Sequence, residues 1–125
     1  MDDIRVGPIN DLLFTKADDL AQCIYELTYF FPKEELFGIT SQLRRAVLSL
    51  PLNITEGYAR RSEQDYRRFL DIAYGSLKEV KYLLYFSNKR KILSNLNYNK
   101  TLEMADELSR LLWKKISTLR AKVKT

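Results

Sequence analysis

The sequence predicts an all-α protein: an antiparallel up-down-up-down four-helix bundle whose second helix is kinked at Pro51. Three observations predict it. Apolar residues recur every three or four positions through four long segments. Gly (4) and Pro (3) are too scarce to supply the turns of a many-stranded sheet. The links between the segments are short, which sets consecutive helices antiparallel. With 125 residues, of which 46% are hydrophobic, the chain can build one core.

Residues 1–14 read as an N-terminal arm and 15–125 as the bundle. Gly7-Pro8 and Asn10-Asp11 interrupt any early helix, and Ile4, Ile9, Leu12, Leu13 and Phe14 are placed to pack the arm down. The first helix is predicted over about 16–30, with Thr15 as its N-cap and Leu20, Ile24, Leu27 and Phe31 on one face. Pro32-Lys33-Glu34-Glu35 reads as a short helical turn closed by Gly38.

The second helix is predicted over about 40–59, with Leu43, Val47, Leu50 and Ile54 as its stripe. Pro51 lies within it. Proline has no N–H for the Val47 carbonyl and crowds it, so a kink is expected, with Ser49 or Asn53 satisfying the freed oxygen. Ser62 caps a third helix over about 63–89, lined by Tyr66, Phe69, Leu70, Ala73, Leu77, Val80 and Leu84. Its patch Ala73, Gly75, Ser76 predicts a close helix–helix approach. After a loop at 90–97, a fourth helix is predicted over about 98–122, carrying Leu102, Ala105, Leu108, Leu112, Ile116, Leu119 and Val123.

The composition also narrows function. The longest apolar run is about five residues at Tyr82 to Phe86, whereas a membrane-spanning helix needs roughly 20. The N-terminus does not read as a secretory signal. A cytoplasmic protein with no membrane partner is expected. There is no histidine, which removes the commonest general base and metal ligand. The one cysteine, Cys23, sits in an apolar helical pattern and reads as a small hydrophobe. No cofactor, metal or catalytic motif is present, and a non-enzymatic protein is expected. Charge divides unevenly: residues 1–57 carry a net −4 and residues 58–125 a net +9. A basic half suits a polyanion, chiefly nucleic acid, and equally a solvated helical surface.

Two clusters stand out. Arg45, Ser49, Asn53, Glu56 and Arg60 form a polar stripe at helical spacing. It reads as an assembly element, with an Arg45–Glu56 ion pair either in cis across the kink or in trans between subunits. A ligand site, or an enzyme using Glu56 in an intersubunit cleft, is the rival reading. Arg60, Arg61, Arg67 and Arg68 surround the turn before the third helix, with Tyr58 and Tyr66 among them. Arg forks grip phosphates and Tyr stacks on bases, so these six are the nucleic-acid-binding candidates. Ion pairs to Glu63, Asp65 and Asp71 are the competing use of these arginines. Tyr25, Tyr29, Tyr74, Tyr82 and Tyr85 cannot all fit narrow core stripes, which favours self-association.

The stretch QLRRAVLSLPLNITEGYARRS at 42–62, followed by DYRRFLDIAYGSLKEV at 65–80, resembles the bacterial four-helix-bundle family encoded by intervening sequences of 23S ribosomal RNA genes. The matching features are Arg44, Arg45, Ala46, Pro51, Asn53, Ile54, Glu56, Gly57, Arg61, Ser62, Phe69, Leu70, Ala73, Gly75, Ser76, Leu77 and Glu79. Ile24-Tyr25, Thr28 and Phe31-Pro32 resemble its first helix. Leu50, Leu52 and Thr55 depart mildly from its pattern. The resemblance implies a homopentameric ring with no established enzymatic activity. The family is also similar to accessory proteins of diversity-generating retroelements. By that analogy RNA or DNA and a reverse-transcriptase-like protein are the implied partners. A protein-binding scaffold without nucleic-acid affinity is the alternative.

Overall fold

The computed structural model describes residues 11–124, with side chains through Lys122. Among them are four long helices and no strand: α1 (Leu12–Tyr29), α2 (Ser41–Tyr58), α3 (Glu63–Lys89) and α4 (Asn95–Lys124). Each helix packs on two neighbours, α1 on α2 and α4, α3 on α2 and α4, closing an up-down-up-down bundle. A 3₁₀ turn, Lys33–Glu35, and a wide π-type turn, Leu36–Thr40, lead from α1 into α2.

The predicted stripes form the core. Leu20, Ile24, Val47, Leu50, Ile54, Leu70, Val80, Leu84, Leu108 and Leu112 have no exposed surface. Burying each such side chain contributes about 1.5–3 kcal/mol, which is what holds four marginal helices together. α2 runs through Pro51 without a break. The expected repair of the Val47 carbonyl is corrected, however. Asn53 Nδ2 donates to the Ser49 carbonyl at 2.7 Å and to Ser49 Oγ at 2.8 Å. A helical side chain leans toward its own N-terminal turn, so residue 53 meets residue 49 and not residue 47.

Two helix starts also differ from expectation. α1 begins at Leu12, inside the segment read as an arm, because Asp11 is a stronger cap than Thr15. The Asp11 carboxylate accepts from the Leu13 N–H at 2.7 Å, and Leu13 and Phe14 are buried in the core. Ile4 and Ile9 lie outside the described residues, as does the side chain of Val123. α4 begins at Asn95, where Ser94 Oγ accepts from the Asn97 N–H at 3.1 Å. α3 starts as predicted, with Ser62 Oγ accepting from the Asp65 N–H at 3.1 Å.

At the far end of α3, Lys91 takes a left-handed conformation, φ 63°. The Ile92 N–H reaches back to the Ser87 carbonyl at 2.8 Å, and the Lys91 N–H to that of Asn88 at 3.0 Å. These two bonds are the Schellman closure of a helix, usually built on glycine. Asn88 then bonds Asn95 at 2.7 Å, so the link into α4 is short and tied. On the α3–α4 seam, Tyr74 packs against Trp113 with ring centroids 5.7 Å apart. Lys81–Asp106 at 2.8 Å and Lys16–Glu107 at 2.7 Å bridge α4 to its two neighbours.

The close approach predicted at Gly75 is instead at Gly57. A Cβ on Gly75 would meet nothing within 4 Å. A Cβ on Gly57 would stand 2.9 Å from Phe69 Cβ, 3.0 Å from the Tyr66 ring and 3.3 Å from the Tyr66 carbonyl oxygen. Gly57→Ala is therefore expected to cost about 1–3 kcal/mol through overpacking, although alanine is the better helix former. Urea unfolding of the two proteins measures it; a gain in stability would show that the joint is looser than these distances state.

Candidate nucleic-acid interface and assembly face

The α2–α3 turn gathers the arginines. Three non-helical residues, 59–61, separate the end of α2 from the Ser62 cap, so Arg60 and Arg61 stand beside Arg67 and Arg68 one turn into α3. Phe69 organises two of them. The Arg60 guanidinium lies 4.9 Å and that of Arg68 5.0 Å from its ring centroid. Stacking on an aromatic face fixes the plane of a guanidinium and leaves its edge for a phosphate. Phe69 was expected only as core; its half-exposed ring makes it a platform.

The local acids claim part of this charge. Glu56 accepts from Arg60 at 2.6 Å, and Asp65 stands 3.9 Å from Arg68. Both pairs are largely exposed, where such contacts are worth about 0–1 kcal/mol, so a polyanion can displace them. Glu63 is taken by Lys122 at 3.1 Å. Arg61 is exposed with no carboxylate among the described residues at ion-pair distance. Arg67 is half-buried, with a buried Nε that has no partner.

The two tyrosines divide. Tyr58 is 55% exposed and free to stack on a base. Tyr66 is half-buried under Gly57, its ring edge-on to Tyr58 at 6.0 Å, so it is a wall of the turn and not a stacking surface. Its hydroxyl is buried without a hydrogen-bond partner. Burial first, then the Asp11 carboxylate and Tyr58, push it up to about 12 from an ordinary 10.0.

The polar stripe does not act as one chain of contacts. Ser49 Oγ and Ser76 Oγ meet at 2.8 Å across the α2–α3 seam, and Asn53 closes on Ser49. Within one chain Arg45 and Glu56 do not pair, because three helical turns, about 16 Å, separate them. Arg60 is one turn from Glu56 and takes it instead. Arg45 is exposed, with no ion pair among the described residues.

Beside this seam lies a surface the stripes did not reveal. Leu48 and Leu52 on α2 are 38% and 64% exposed, and Ile72 on α3 is 45% exposed. Helical spacing from Ser49 and Ser76 sets all three, with Gly75, on the solvent side of the seam. The signal was present as Leu48 and Leu52, four apart and off the main stripe. A second apolar cluster lies at the α1 end, where Tyr29, Phe30 and Phe37 are 78%, 83% and 94% exposed. Tyr82 and Tyr85 are also exposed, whereas Tyr74 is half-buried against Trp113. Cys23 is half-buried near Thr101.

The sequence profile of the 23S rRNA-intervening sequence protein matches residues 11–114. The chain belongs to that family. A solved crystal structure shares the fold. Described as a protein of unknown function from the S23 ribosomal protein family, it comes from Bacteroides thetaiotaomicron VPI-5482 and superposes with a TM-score of 0.79 at 24% identity. The match covers 84% of this chain and 98% of that one. No functionally curated protein matches. Among the described residues of this intervening-sequence protein, no helix is long and apolar enough to cross a membrane, and no cluster of potential ligands could hold a metal ion.

The raised Tyr66 value has a stability consequence. The neutral phenol is the native form, so its contribution is complete below the unfolded value near pH 10 and is lost as pH rises toward about 12. Tyr66→Phe is expected to keep or raise stability at neutral pH by removing an unpaired hydroxyl. It should also flatten the alkaline loss relative to wild type. Urea midpoints followed through that pH window compare the two, and parallel curves would contradict the assignment.

Proposed function

We propose that this intervening-sequence protein is a non-enzymatic helical module that assembles with copies of itself and binds nucleic acid through the arginine-rich α2–α3 turn. The observation that carries the reading is the pairing of two surfaces along one helix pair. Leu48, Leu52 and Ile72 offer an apolar face beside an open glycine. At the end of the same two helices, two guanidinia lie over the Phe69 ring. Contiguous exposed apolar residues on a small domain favour a protein partner. A homo-oligomer repeats each weak arginine contact, so a modest single-site affinity becomes a useful one. Five copies is the number that the family resemblance supplies.

Glu56 as a catalytic group is the weaker reading. It is exposed and its carboxylate is already bonded to Arg60. The scaffold reading draws support from the two acid pairs, which already occupy Arg60 and Arg68. Salt dependence decides between scaffold and nucleic-acid binder.

For assembly, light scattering of the wild type is expected to give a mass well above the 14.7 kDa chain. The double change Leu52→Glu, Ile72→Glu should yield a monomer of unchanged helicity. A wild type that stays monomeric at micromolar concentration rules out the assembly.

For nucleic acid, affinity for unspecific RNA and duplex DNA is expected to fall steeply with salt, each phosphate contact adding about 0.7–0.9 to the log–log slope. Changing Arg60, Arg61, Arg67 and Arg68 to Ala together should remove most of that slope. Arg61→Ala should be the most damaging single change, since no carboxylate among the described residues pairs with Arg61. Unaltered binding by the quadruple variant would place the interface elsewhere.

A further inference from the structure

The opposite end of the bundle holds a second arrangement of cations, independent of the arginine-rich turn. α2 has 18 residues and is about 27 Å long, so its first turn lies about 20 Å from its last. There Arg44 lines a cleft of about 190 Å³ with Thr28, Tyr29, Pro32, Lys33 and Thr40. The Arg44 guanidinium is held from two sides. Its Nε donates to Thr28 Oγ1 at 2.8 Å, and its plane lies over the Tyr25 ring at 4.7 Å. Thr28 Oγ1 in turn donates to the Ile24 carbonyl at 2.7 Å, so the hydroxyl is fixed as an acceptor for the arginine. What remains of the fork, the two Nη groups, has no partner among the described residues. No carboxylate there stands within ion-pair distance of Arg44 or Lys33.

Two further facts narrow the occupant. Thr40 is 3% exposed, and its Oγ1 has no hydrogen-bond partner among the described residues. An unpaired buried hydroxyl is a cost that a bound acceptor removes. Moreover, the lining includes two cations and no acid. A monoanionic carboxylate would leave one positive charge unmatched, whereas a doubly charged oxyanion matches both. We propose that this cleft is a phosphomonoester site, in which the Arg44 fork takes two phosphate oxygens, Lys33 closes from the rim, and a χ1 rotation of Thr40 presents its hydroxyl to the ligand. The apolar walls, Tyr29, Phe31, Pro32 and Leu36, leave room for the ester group outside the anion. The phosphate comes either from a free small molecule or from the 5′ end of a nucleic-acid strand.

The test uses the full chain carrying the quadruple alanine change at the other end, so that the arginine-rich turn contributes nothing to the signal. Calorimetry with inorganic phosphate is expected to show saturable binding by about 10 mM, with a raised thermal midpoint. Arg44→Lys keeps the charge but loses the fork and should weaken binding about tenfold. Thr40→Val should weaken it severalfold while leaving the ligand-free midpoint equal or higher. Lys33→Ala, an exposed position that cannot disturb the fold, should also weaken it severalfold. A 5′-phosphorylated trinucleotide that binds more tightly than inorganic phosphate assigns the strand end as the source, and equal binding assigns a free anion. The site is overturned by no phosphate binding in this range, by three variants that bind like their parent, by acetate binding as well as phosphate, or by a 5′-hydroxyl trinucleotide matching the phosphorylated one.

Discussion

The missing side chain at residue 57 governs how the second half of this bundle meets the first. With hydrogen in place of a methyl group, α2 can lie against the first turns of α3 at a distance no other residue allows. Phe69 and Tyr66 are the groups that fill that contact. Because Phe69 is pinned there, its outer face stands where Arg60 and Arg68 can lie against it. The spacing of the arginines is thus a product of backbone packing. A wider joint would let the ring turn away, and the guanidinia would become ordinary mobile surface charges.

The seam above that joint is unusual for a core contact in being polar. Ser49, Ser76 and Asn53 satisfy one another between two apolar neighbourhoods, the core on one side and Leu48, Leu52 and Ile72 on the other. Such a strip does little for net stability, since each hydroxyl gives up water to gain its partner. It does fix register: sliding α3 by one residue would break the Ser49–Ser76 contact and leave part-buried hydroxyls unpaired. Pro51 sits within the same stretch. The apolar period continues through it, and the burial of Leu50 and Ile54 outweighs the one hydrogen bond that proline cannot make.

Much of this was legible in the chain. The stripes at Leu43–Ile54, Leu70–Leu84 and Ala105–Leu119 read as core because period and hydropathy report burial directly. Ser62 read as a cap because its chemistry is local. What depended on choosing between adjacent candidates was harder. Asp11 won over Thr15, and Ser94 started α4 ahead of Tyr98, because each offered a better-placed acceptor for free N–H groups. Gly75 read as the close-approach position and Gly57 did not; only the rotation of each helix about its axis tells which faces a neighbour. The arginine cluster was legible as a cluster. Its division into stacked, paired, exposed and half-buried members was not, since that follows from Phe69, Glu56 and Asp65 in three dimensions. The family motifs identified the fold from the same segment, because they record these packing requirements together.

Trp113 is the one tryptophan in the chain, and it sits half-exposed on α4, facing Tyr74 across the seam with α3 and within 5.9 Å of the Arg120 guanidinium. Its emission therefore samples a single locality. Energy passed from Tyr74 depends on α3 and α4 staying together, while the contact of α1 with α2 lies on the far side of the core. An optical signal from this protein is in effect a gauge of one helix pair. Loosening of the α1–α2 pair could proceed in optical silence, and amide-based spectra are the readout that would register it.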